Sequence, residues 1–93
     1  MDRYIIEADH TLEDCLRVLD GFAQAGAHYL RRADWGCHAG VHTAWIVVEA
    51  ASDEDARLMA PPVIRSVARV TKLNSFTPEE IRELHEKELG GPG

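Results

Sequence analysis

Ala27-His28-Tyr29-Leu30-Arg31-Arg32-Ala33-Asp34-Trp35, then Gly36 to Gly40, then His42-Thr43-Ala44-Trp45-Ile46-Val47-Val48-Glu49-Ala50: the middle of the chain reads as two strands around a glycine-bounded turn. The second arm is rich in β-branched and aromatic residues, which suit a pleated, half-buried surface. The turn is longer than two residues, so a hairpin with an extended loop is predicted. Working outward, residues 3–9 read as a strand. Thr11 follows, and its hydroxyl can cap the amide of Asp14 and open a helix. Leu12, Cys15, Leu16, Leu19, Phe22 and Ala23 repeat at helical spacing, and Gly26 supplies a stop. That stripe places Cys15 in the core as a small hydrophobe.

Beyond the hairpin, Ser52 before Asp53-Glu54-Asp55 marks a second helix start, and Pro61-Pro62 ends that helix. A short turn is expected over 63–68 and a fourth strand over 69–76. Thr77-Pro78-Glu79-Glu80 combines a capping hydroxyl, a proline at the first helical position and a glutamate at the third. Ile81, Leu84, His85 and Leu89 would be the buried stripe of that last helix. The order is β-α-β-β-α-β with a C-terminal helix. This is an α+β chain of ferredoxin-like arrangement: one four-stranded antiparallel sheet with helices on one face and the first and third strands central. Residues 1–89 make a single domain, and 90–93 a flexible tail.

Strand alternation sorts the side chains. Tyr4, Ile6 and Ala8, with Ala44, Ile46 and Val48, suit the helix-covered face. Ile5, Glu7 and Asp9, with Thr43, Trp45, Val47 and Glu49, point the other way. A turn centred between His38 and Ala39 would set His28 opposite Glu49, Leu30 opposite Val47, Arg32 opposite Trp45 and Asp34 opposite Thr43. The open face would then hold an imidazole, carboxylates and an arginine over an apolar floor. Two such faces can pair, which predicts a homodimer with a small-ligand cavity between its sheets.

A net charge of −6 argues against nucleic acid as the main partner, since phosphate binding needs a basic face. No apolar run approaches bilayer length, and the N-terminus carries acids where a secretory signal would be basic and then apolar. A cytoplasmic location without a disulfide framework is expected from two cysteines.

The chemistry gathers at the turn. Asp34, Cys37, His38 and His42 fall within nine positions, the last three of them between Trp35 and Trp45. Thiol and imidazole donors suit zinc, nickel or copper. If strands one and three run antiparallel, the end of the first lies beside the start of the third, so His10 would meet His42. The expected metal ligands are therefore Cys37, His42 and His10, with Asp34 as an orienting or additional ligand. Glu7, Trp45 and Asp34 are candidate contacts for a small ligand.

The hairpin resembles small bacterial proteins that carry Ala-Asp-Trp-Gly-Cys followed by His-x-Ala-Trp, here Ala33 to Cys37 and His42 to Trp45. The layout of residues 3–85 is similar to the dimeric α/β-barrel proteins of the ferredoxin-like superfold. Proteins of that layout include heme-degrading and cofactor-independent monooxygenases, lactone isomerases and a nickel-binding group. The resemblance implies an architecture and not an activity.

Three functions fit this sequence. The first is a binding protein holding a metal ion or a small molecule at residues 34–42. The second is a cofactor-independent isomerase or oxygenase-type enzyme, with His28 as general base, Glu49 or Glu7 orienting it and Arg32 holding an anionic substrate. The third is a structural or regulatory homodimer without a ligand.

Overall fold

The computed structural model describes residues 1–90. Strand β1 (Asp2–Asp9) leads into helices α1 (Cys15–Ala25) and α2 (Ala27–Arg32), and these into the short strand β2 (Ala33–Trp35). A 3-10 turn, Cys37–Ala39, joins β2 to β3 (Thr43–Ala50). Helices α3 (Asp53–Leu58) and α4 (Pro62–Arg65) precede β4 (Arg69–Leu73), and α5 (Pro78–His85) continues into a π-helical turn, Glu86–Gly90. The four strands form one antiparallel sheet in the order β2-β3-β1-β4, so β1 and β3 are central. Among the described residues, no helix is long and apolar enough to cross a membrane.

Period-two alternation on the central strands sets the layers. Tyr4, Ile6, Ala8, Ala44, Ile46 and Val48 are buried in one cluster with Val18 and Phe22 of α1, Ala56 of α3 and Ile64 of α4. Helices therefore cover that face, and the other face is open. Ser52 caps α3 by accepting from the Asp55 amide at 3.1 Å. Thr77 and Glu80 close a full capping box at the start of α5. These caps satisfy amides that have no partner within their own helix.

The largest departure from the sequence expectation lies at residues 27–32, which form α2 and not a strand. Ala, Leu and Arg are strong helix formers. Gly26, at φ 142°, turns the chain between α1 and α2, a backbone position that side chains disfavour. The paired part of the hairpin is thus three residues long: Ala33 faces Ile46, Asp34 faces Trp45 and Trp35 faces Ala44. The register differs by two from the expected one, so side chains keep their faces but change partners.

His28 and Arg32 consequently leave the sheet. His28 is exposed on α2 beside Tyr29, with ring centroids 4.2 Å apart. Glu49 is exposed on the open face opposite Arg3, and Glu7 lies 3.5 Å from Arg69. Among the described residues, no hydrogen bond or ion pair joins His28 to either glutamate. The proposed acid–imidazole dyad needed His28 on a strand, and α2 removes it.

The buried stripe of α1 is also rotated from the expected one. Val18 and Phe22 are buried, whereas Leu12 and Leu16 are 69% and 68% exposed. Strand β4 ends at Leu73, short of residue 76. Helix α5 runs straight on into the π-helical turn, and its Ile81, Leu84 and His85 are exposed. The Leu89 side chain and residues 91–93 of the expected tail lie outside the described residues, while Gly90 closes the π-helical turn.

Candidate metal centre

The end of β1 and the start of β3 meet at one rim of the sheet. The His10 amide donates to the His42 carbonyl at 2.9 Å, extending the β1–β3 ladder by one pair. Alternation puts both imidazoles on the helix-covered side, in line with Ala8 and Ala44. Their ring centroids are 5.9 Å apart.

Two sulfurs complete the group. Cys15 is the first residue of α1, and Cys37 opens the 3-10 turn. Their Sγ atoms are 3.3 Å apart, and Cys37 Sγ lies 3.6 Å from His10 Nε2. One donor atom from each of His10, Cys15, Cys37 and His42 lies within 4.8 Å of all the others. All four residues are half-buried.

The surrounding chain fixes this cluster from three sides. The Thr11 hydroxyl accepts from the Asp14 amide at 3.2 Å, which shapes the link from β1 to α1. Trp35 stands against His10 with centroids 6.0 Å apart, and Phe22 of α1 packs its edge on Trp35 at 4.8 Å. The turn bearing Cys37 is laced by backbone bonds from Ala39 and Val41 to the Gly36 carbonyl, both 2.9 Å. A Cβ on Gly36 would meet the Val41 carbonyl oxygen at 2.6 Å and the Trp45 ring at 3.0 Å, so only glycine permits this close approach.

Two ring nitrogens beside the group lack partners. His10 Nδ1 and His42 Nδ1 are both shielded from solvent without a hydrogen-bond partner. A buried polar atom in that state costs about 1–3 kcal/mol, and two at one spot are unusual. The hydrogen bond with Cys37 holds the Cys15 thiol above its ordinary range; desolvation and the neighbouring sulfur push the same way.

The donor set can hold a metal. Zinc bonds of about 2.3 Å to sulfur and 2.0–2.1 Å to nitrogen set tetrahedral ligand atoms roughly 3.3–3.8 Å apart. The sulfur–nitrogen separation of 3.6 Å suits such a site, the sulfurs at 3.3 Å would part by about 0.5 Å to reach the roughly 3.8 Å of two zinc-bound thiolates, and the widest pair, within 4.8 Å, would close by about 1 Å. Soft sulfur with imidazole is a zinc, copper or nickel set and not a calcium or magnesium one.

Of the residues singled out in the sequence, His10, Cys37 and His42 converge. Cys15, read there as a small core hydrophobe, joins them. Asp34 does not: it is exposed on the open face opposite Trp45. Asp9 is nearby in sequence but accepts from Thr43 Oγ1 at 2.8 Å on that same open face. His38 is exposed in the turn. The signal that would have included Cys15 is a mirrored spacing, His10-x4-Cys15 against Cys37-x4-His42.

Two hollows lie along α1. One of about 210 Å³ adjoins the cluster through His10 and Thr11 and holds the Asp14–Arg17 pair. A larger, shallower groove of about 770 Å³ between α1 and α4 contains no cysteine or histidine, so size alone does not mark the chemistry. Comparison with known protein families, curated proteins and solved structures finds no match.

Proposed function

We propose that this chain is a small metal-binding protein of ferredoxin-like arrangement, holding one zinc ion on His10, Cys15, Cys37 and His42. The observation that carries this reading is the convergence of four nitrogen and sulfur donors, from two distant parts of the chain, within 4.8 Å. The strand order β2-β3-β1-β4, with helices over one face, supports the architecture. Four protein donors fill a tetrahedron and leave no position for a substrate, so the ion serves binding and structure rather than catalysis.

The core gives such an ion a physical task. Among the described residues, seven of the fourteen buried hydrophobics are alanine. A buried methyl contributes about 0.8 kcal/mol, against roughly 1.5–3 for a larger aliphatic or aromatic side chain. A chain this short with a core this lean gains much from a metal staple. Zinc would tie the end of β1, the start of α1 and the β2–β3 turn into one unit.

The test is metal stoichiometry on untagged protein, with cobalt as a spectroscopic stand-in. One equivalent of zinc per chain and a tetrahedral thiolate–cobalt spectrum are expected, both lost in Cys37→Ser and His42→Ala. A six-coordinate or square-planar spectrum, or no retained metal, removes the zinc reading.

The assembly we propose is a homodimer through the open sheet face. Val47 on that face is 53% exposed, beside half-buried Ile5 and Trp45. The Val47→Lys variant is expected to sediment as a monomer where the parent sediments as a dimer. A parent that stays monomeric across a concentration series would end this proposal.

A further inference from the structure

We propose that Cys15 and Cys37 are an oxidative modification site: a peroxide-class oxidant joins them in a reversible disulfide within one chain, and that bond excludes the metal. The second half rests on the zinc reading; the first does not. The two sulfurs already touch at 3.3 Å, so bonding requires an approach of only about 1.3 Å. Both sit at the start of an element. Cys15 is the first residue of α1, and Cys37 lies in a 3-10 turn flanked by Gly36 and Gly40. Both thiols are free and half-buried, which leaves them open to a small oxidant while a bulky thiol from another chain is hindered.

The chemistry balances with the peroxide as the only co-reactant. One sulfur attacks a peroxide oxygen: an S–O bond forms, the O–O bond breaks, and the departing oxygen leaves as water, giving a sulfenic acid. The second sulfur attacks the first: the S–S bond forms, the S–O bond breaks, and the second oxygen leaves as water. The two thiol protons go into those waters, and the sulfurs give two electrons to the peroxide. In most proteins the second step waits for a resolving thiol to arrive. Here it is in place.

The same electron pairs that would bind zinc become the disulfide bond. Only His10 and His42 remain as donors, and two imidazoles do not retain zinc against competition. Occupancy and oxidation are therefore mutually exclusive states of one cluster.

The experiment treats metal-free protein with a slight excess of hydrogen peroxide. Intact mass is expected to fall by two hydrogen atoms, a non-reducing peptide map to show a Cys15–Cys37 crosslink within one chain, and dithiothreitol to reverse both. Zinc-loaded protein, treated alike, is expected to release its zinc to a chromogenic chelator. The oxidised form should bind zinc at least about 100-fold more weakly. Cys15→Ser and Cys37→Ser should each gain oxygen atoms in place of the crosslink. Sulfinic acid or chain-to-chain dimers in the parent, without the internal crosslink, would overturn the modification site while leaving zinc binding intact. Retention of zinc by fully crosslinked protein would overturn the exclusion. Failure of the reduced protein to bind zinc at all strikes the metal reading alone, because the crosslink is scored without metal.

Discussion

Zinc added in slight excess to the reduced, metal-free protein is expected to raise its melting temperature by about 15–30 °C. Binding only the folded state at 1,000 times the dissociation constant contributes about 4 kcal/mol. In a domain of this size each kilocalorie moves the midpoint by about 4–8 °C. Apparent affinities of structural zinc sites are easily strong enough to reach that ratio at micromolar protein. The donors come from the end of β1, the start of α1 and both sides of the β2–β3 turn, so the unfolded chain does not present the site whole. Cys37→Ser and His42→Ala should abolish the shift, measured by differential scanning calorimetry. Cys15→Ser is the sharper variant: if three donors sufficed, its shift would persist. A parent whose midpoint moves by less than about 2 °C has no metal staple of the kind described.

Phe22→Ala is expected to cost about 3–5 kcal/mol, read from urea denaturation. Phe22 is fully buried, and its ring edge packs on Trp35, which in turn stands against His10. Few neighbours could fill the void, because the surrounding core is largely alanine and β-branched residues. For a chain of 93 residues whose whole stability is of the order of 5–10 kcal/mol, this loss takes the metal-free protein close to unfolding. Zinc should restore much of it, since the linkage term adds to whatever core remains. Phe22→Leu should cost far less. A loss below about 1 kcal/mol for Phe22→Ala would mean that this ring is not the centre of the helix-covered layer.

Much of the architecture was readable because local signals agreed with one another. Alternation on β1 and β3 identified their buried faces, and the Ser52 and Thr77 caps placed two helix starts. Residues 27–32 were misread because six residues are too few for a period to tell helix from strand, and Ala-His-Tyr-Leu-Arg-Arg satisfies both patterns. The strand that remains pairs with only three of the eight residues of β3. The exposure of α5 was unreadable for a different reason, since its stripe is amphipathic whether or not a partner covers it. At the site, His10 and His42 followed from strand antiparallelism alone. Cys15 was absorbed into an apolar stripe because a thiol at helical spacing looks like any small hydrophobe.

The placement of β1 between β3 and β4 bears on the order of events at the ribosome. Cys15 and Cys37 are 22 positions apart, and His10 meets His42 only when β3 has docked along β1. A nascent chain that has not yet released residue 50 exposes two isolated bidentate fragments, one on each side of α1 and α2, each a weak and indiscriminate chelator. Full occupancy by the proposed ion would then arrive with the β1–β3 pairing and before β4 joins β1, which makes it a marker of that pairing.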